Sequence, residues 1–360
     1  MPLGIDNLIV ASDIMEVKDL KEGKIFLLKG RDGSSVVLKS EPKVTGDQIK
    51  MANPVVKAID PSCKMKPLTL MEVHELRIFV RQWEEYVNFV EGATGGLGGF
   101  AKKNPIQAKE KAAISNLVLA LKTYGGITGN SARSNMAKMS LARMSTLGVV
   151  LDVENANFSE ESWTEARGIF GKFVKALNGS GGLEKLGKIV AGDFFIGNED
   201  RFISHVGVKK SGAKTSGGMQ VTIHGEKKRL LVIRNLGNVI IVEDSKGKVM
   251  PSMLDYMDPS QVTLTPVLPN GGVPDDWPMR NLLIKPSRRM FADSLVEDLE
   301  YLLKPEKGGS KKLGGARAAS RLDDGIVSGI KAIVKSLGPK RAGLNPTMQA
   351  YYDLVRAAKL

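Results

Sequence analysis

Short apolar runs separated by turn residues open the chain, and apolar positions spaced by three and four take over after residue 76. KIFLLKG (24–30) and VVLKS (36–40) flank RDGSS, two apolar runs around an Asp-Gly turn, which predicts a β-hairpin. QIKMANPVVKAI (48–59) predicts a helix interrupted by Pro54 and closed by Pro61. SCKMKPLTLMEV (62–73) predicts one or two further strands. From 77 to 92, Phe79, Val80, Trp83, Tyr86, Val87 and Val90 recur at helical spacing. A glycine-rich loop (92–105) follows, then a helix over 107–126, a Met- and Ser-rich helical segment over 130–147 and a capped helix over 159–179. LEKLGKIVAGDFFIGNEDRF (183–202) predicts a helix running into an irregular loop. Residues 207–218 read as a basic flexible loop, and 230–258 as short strands around a Ser-Lys-Gly turn. The last hundred residues read as helices around a linker over 302–321.

Length and composition narrow the class. At roughly 150 residues per domain, 360 residues suit one two-lobed enzyme or two ordinary domains. The single cysteine, Cys63, excludes an internal disulfide and a cysteine-rich zinc site, and three scattered histidines argue against a histidine metal site. The N-terminal stretch mixes acids into its apolar run, so it does not read as a cleavable signal peptide. No apolar run of 18 residues predicts a membrane span. The expected compartment is therefore the cytoplasm, or a host cell reached by export without a cleavable signal. A formal charge of +13 favours acidic partners. No aromatic residue falls within the basic stretch 203–255, which disfavours nucleic acid and leaves an acidic protein or an anionic lipid surface.

The chemistry concentrates in GDFFIGNEDRF (192–202), where Asp193, Asn198, Glu199, Asp200 and Arg201 fall within nine positions of an apolar frame. Acids there are costly unless solvated, paired or bound to a cation. Asn198 and Asp193 read as turn and loop-stabilising residues. A hairpin over NVIIVEDSKGKVMPSMLDYMD, turning at 245–247, would return Asp255 beside Asn238, with Asp244 and Asp258 as rivals. Amide plus carboxylate is an oxygen donor set suited to Mg²⁺.

The order of GN-x-DR, an Asn-led apolar hairpin and a following Asp resembles the atypical kinases. It is most similar to the actin-fragmin kinase branch, related to the phosphatidylinositol 3- and 4-kinases and more distantly to HipA-type kinases. The resemblance implies a two-lobed α+β fold with a small β-rich lobe over 1–75, a larger helical lobe over 76–300, and a linker with C-terminal helices over 301–360. It implies transfer of the γ-phosphoryl of ATP to a Ser or Thr hydroxyl of a protein, and is compatible with a bacterial effector. Lys39 would bind the α- and β-phosphates. Gly23 would belong to the phosphate loop, and Glu72 to the strand leading into the adenine hinge. Asp200 and Arg201 would be catalytic, and Asn238 and Asp255 would hold Mg²⁺. The chain departs from the pattern in three ways. Asp200 and Asn238 are 38 positions apart, no glutamate is evident in 48–59 to pair with Lys39, and Gly23 is the lone glycine of its loop. A phosphoinositide kinase and a nucleotide-binding pseudokinase therefore stay open as alternatives.

Overall fold

The structure is a computed structural model. It describes residues 2–20, 23–40, 46–61, 63, 65–95, 105–125, 136–139, 171, 173–179, 181–199, 201–203, 206–208, 214–216, 220–223, 226–229, 232–234, 236, 239–243, 248–253, 273, 277–302, 313–338, 346–358 and 360. The chain is mixed α and β, mostly helical, with a sheet-rich N-terminal region. It divides into two compact units, Met1–Lys50 with Lys64–Leu141, and Met51–Cys63 with Ala142–Leu360. Among the described residues no helix is long and apolar enough to cross a membrane.

The first unit is built on an antiparallel sheet of five strands: β1 (Ile14–Asp19), β2 (Ile25–Gly30), β3 (Ser35–Ser40), β4 (Met65–Pro67) and β5 (Met136–Met139). Their order is β1-β2-β3-β5-β4. The expected hairpin forms β2 and β3. Its turn closes through the Gly33 N–H to the Gly30 carbonyl, with Gly33 in the left-handed region at φ +80°. α1 (Gly46–Ile59) follows β3 and runs continuously through Pro54, where the sequence predicts an interruption.

Two expectations fail here. LTLMEV, read as a strand, instead starts α2 (Leu70–Gly95). Thr69 and Glu72 form a reciprocal cap, the Glu72 N–H donating to Thr69 Oγ1 at 3.1 Å and the Thr69 N–H to Glu72 Oε2 at 2.9 Å. This T-x-x-E start outweighs the extended preference of the flanking apolar residues. The other failure is the helix expected over 130–147, whose described part, Met136–Met139, is a strand wedged between β3 and β4. Pairing with strands distant in sequence overrides local preference. The boundary expected after residue 75 lies inside α2, and the first unit continues to Leu141.

One sheet face, carrying Ile14, Val17, Phe26, Leu28, Val36 and Leu38, packs into a core with α2 and α3 (Pro105–Gly125). Side chains alternate across a strand, so Val37 and Lys39 lie on the other face. Their partners across the β2–β3 ladder are Leu27 and Ile25.

In the second unit the central helix is α4 (Gly182–Ile196), of which only Glu184, Lys185 and Lys188 are not buried. It crosses α7 (Ala316–Leu337) at glycines. A Cβ on Gly187 would lie 2.3 Å from the Leu322 carbonyl oxygen, and one on Gly325 would lie 2.3 Å from that of Glu184. The two backbones thus approach as closely as small residues allow. The stretch read as a flexible basic loop, 207–218, instead holds most of the hairpin β6 (Val206–Val208) with β7 (Lys214–Ser216), and a second hairpin follows, β8 (Gln220–Ile223) with β9 (Glu226–Arg229). β10 (Val239–Glu243) and β11 (Val249–Met253) form the expected later hairpin, Val239 pairing with Met253 at its open end. α5 (Met279–Leu283), α6 (Lys285–Leu302) and α8 (Pro346–Ala357) complete the unit. The linker expected over 302–321 ends sooner: Leu313 is buried, and Glu300 accepts the Gly314 and Gly315 N–H groups at 3.1 Å. Arg321, read as the last residue of that linker, is in α7 and pairs with Glu184.

Candidate functional site

α4 ends in a sharply defined turn. Gly197 is in the left-handed region at φ 74° and donates to the Phe194 carbonyl, while the Asn198 N–H returns to the Asp193 carbonyl at 2.8 Å. These paired bonds close the helix in the manner of a glycine C-cap. The next open carbonyl, that of Phe195, accepts the Trp277 indole N–H at 3.1 Å. Every backbone acceptor from 193 to 195 is thereby satisfied, and the chain leaves the helix in one fixed direction.

The loop beyond is held from below by Asp193. Its carboxylate accepts Arg201 Nε and Nη2, both at 2.8 Å, and Asn198 Nδ2 at 3.1 Å. Asp193 and Arg201 are each 0% exposed. A planar guanidinium on a carboxylate in this two-pronged geometry fixes orientation as well as distance. The exit is held too. Phe202 bridges Ile233, the Ile203 N–H donates to the Val232 carbonyl and the Arg234 N–H to that of Arg201. The Asp298 carboxylate accepts the Val232 and Ile233 N–H groups at 2.8 and 3.1 Å. Sequence reasoning missed Asp298, whose only signal is an acid among the buried positions of α6.

Arg201, expected to be catalytic, is enclosed and bound to Asp193. Asp193, expected to stabilise the loop, does so. Asp200 lies outside the described residues, between the half-buried Glu199 and the enclosed Arg201.

The later hairpin is anchored at its open end. Ser252 donates its hydroxyl to Asp60, and the Met253 N–H donates to the same carboxylate at 2.9 Å. Asp60 follows α1 directly. Lys185 of α4 reaches it at 3.3 Å and also donates to the Ile59 carbonyl at 2.7 Å. Burial pushes the Lys185 ammonium below the ordinary lysine value, and the Asp60 carboxylate opposes that shift. Asn238 and Asp255, the expected Mg²⁺ ligands, lie outside the described residues. Among the described residues no three His, Cys, Asp or Glu side chains are grouped to hold a metal ion.

In the first unit, Lys39 is 5% exposed on β3, beside Val37 on its own strand and opposite Ile25 on β2. Alternation along KIFLLKG and VVLKS would have found these neighbours, which the sequence reading did not single out. Gly23 sits in the β1–β2 turn at φ 78°, and its N–H donates to Asp19 Oδ2 at 2.7 Å. That donor is engaged within the protein, where a phosphate loop would offer it to the ligand. Glu72 is in the first turn of a helix, its carboxylate accepting the Thr69 and Ile9 N–H groups. The hinge role expected for it therefore loses its strand.

Comparison of the chain with family models, with curated proteins and with solved structures finds no match.

Proposed function

We propose that the chain is an ATP-dependent phosphotransferase of the two-lobed kinase-like type, acting on a Ser or Thr hydroxyl of a protein. The observation that carries this reading is the placement of Lys39. It is buried on the third strand of an antiparallel sheet, on the face away from the hydrophobic core, and a helix follows that strand. Kinases hold their phosphate-binding lysine on the third strand, with a helix after it. A buried helix ending in a pinned loop that carries Asp200, followed by an antiparallel hairpin, is the remaining support.

On this reading Lys39 orients the α- and β-phosphates. Asp200 accepts the proton of the substrate hydroxyl as its oxygen bonds to the γ-phosphorus and the bridging bond to ADP breaks. Arg201 and Asp193 act indirectly, by fixing the loop that presents Asp200. Mg²⁺, when bound, would neutralise phosphate charge, and the oxygen donors of Asn238 and Asp255 fit its chemistry. Positioning supplies much of the rate in such transfers.

A nucleotide-binding module without turnover is the second reading, favoured by the β1–β2 turn, where Asp19 occupies the Gly23 N–H. Nucleotide binding tests the shared part. A fluorescent ATP analogue should bind the wild type and lose at least tenfold in affinity in Lys39→Met, about 1.4 kcal/mol. Equal affinity in the two proteins would remove Lys39 from the site.

A further inference from the structure

α8 is twelve residues long, and among its described side chains only Tyr351, Tyr352 and Val355 are buried. Isolated helices shorter than about 12–15 residues are marginal in water, so α8 forms as it docks and melts when it is released. Its docking face meets a tryptophan. The Tyr351 and Trp277 ring centroids are 4.4 Å apart, and Trp277 meets the Phe195 ring at 75° and 5.7 Å. Trp277 is 3% exposed, and a buried indole N–H needs an acceptor. It has one in the Phe195 carbonyl, in the last turn of α4. Phe195 is thus held by both the ring and the N–H of Trp277, and Trp277 is backed in turn by Tyr351 of α8.

The turn beyond Phe195 is closed by the Gly197 N–H on the Phe194 carbonyl and by the Asn198 N–H on that of Asp193. Both bonds need the last turn of α4 to keep its shape, which the Trp277 bond helps to fix. We propose that α8 is a releasable clamp on the end of α4: docking of Tyr351 on Trp277 and closure of the turn at Gly197 and Asn198 open and close together, as one local unit. With α8 released, water reaches Trp277 on the side that Tyr351 covered and competes for its N–H. The Phe195 carbonyl then loses its partner, and the last turn of α4 frays. Local openings of this kind take in contiguous parts of a structure and leave the rest closed. Order in the loop after α4 is thereby set from the C-terminal helix, whatever reaction that loop serves.

Amide hydrogen exchange, read residue by residue by NMR on the full chain, tests the coupling. Tyr351→Ala removes the ring from the docking face. Exchange at Asp353 and Leu354 of α8 should rise about tenfold or more, and exchange at Gly197 and Asn198 should rise with it by a similar factor. Ile189 and Val190, in the middle of α4, should keep their wild-type rates. Val355→Ala trims the same face and leaves both rings in place, so it should give a smaller rise in the same proportion at both sites. If Tyr351→Ala does not fold, Val355→Ala decides alone. Faster exchange in α8 with unchanged rates at Gly197 and Asn198 overturns the inference, because the helix then opens without the turn. A rise that includes Ile189 and Val190 equally also overturns it, because α8 then supports the whole unit and not the end of α4. Unchanged rates in α8 in both variants overturn it too, since these side chains would not be what docks the helix.

Discussion

Removing the Asp193 carboxylate should be among the most damaging single changes in the second unit. Asp193→Ala deletes three side-chain hydrogen bonds at once, two from Arg201 and one from Asn198. The larger cost is what remains. Arg201 has no exposed surface, so its guanidinium would stay buried with both bonds to the Asp193 carboxylate gone, a cost of about 3–5 kcal/mol. That is a large part of the ~5–15 kcal/mol by which folded proteins exceed their unfolded states. Replacing both partners separates the charge from the shape. In Asp193→Leu with Arg201→Met no charge is left behind, and well-packed apolar pairs of similar volume are often neutral. Of the bonds described, the one from the Asn198 amide is lost without compensation, about 1 kcal/mol. Urea unfolding of the wild type, Asp193→Ala, Arg201→Met and the double variant should therefore show two large single losses and a small double one. A single loss below about 1 kcal/mol, or a double loss near the sum of the singles, would refute a buried, mutually dependent pair.

Gly187→Ala places a methyl 2.3 Å from a carbonyl oxygen of α7. Alanine's better helix propensity, about 1 kcal/mol, should not offset an overpacking cost of about 3 kcal/mol, so the melting temperature should fall by several degrees; a rise would show that the helices can separate freely. Arg321 holds the Glu184 carboxyl below its ordinary value of 4.5. A carboxylate lowered in the folded state adds stability above that value and loses it as pH falls through the folded value. Arg321→Met should accordingly flatten the loss of stability below about pH 4.5 in acid titrations followed by circular dichroism, and identical acid limbs would count against the pair.

What the sequence made legible was local. The hairpin around Asp32–Gly33 follows from turn chemistry within a few residues, and it stands in the structure. β5 was not legible, because Met136–Met139 owes its extended form to β3 and β4, some 70 to 100 positions earlier. Glu72 misled for the opposite reason: an apolar run read as a strand, and the short capping signal of Thr69 and Glu72 decided the matter. At the site, the acids and Arg201 were found from their density in an apolar frame. The direction in which Arg201 points was not legible, since it is set by Asp193 eight residues away. Asp60 and Asp298 escaped notice because their donors, Ser252 and the N–H groups of 232 and 233, are 192, 66 and 65 positions distant.

Transfer of label from γ-³²P-ATP tests the central claim most directly. With Mg²⁺ and a protein acceptor mixture, the wild type should place label on protein Ser or Thr, and Asp200→Ala should fall below a tenth of that rate, a barrier change above about 1.4 kcal/mol, while binding nucleotide nearly as well. A variant that keeps more than a tenth of the rate would remove Asp200 from the reaction, and a wild type that neither binds ATP nor moves its γ-phosphoryl group would contradict the account as a whole.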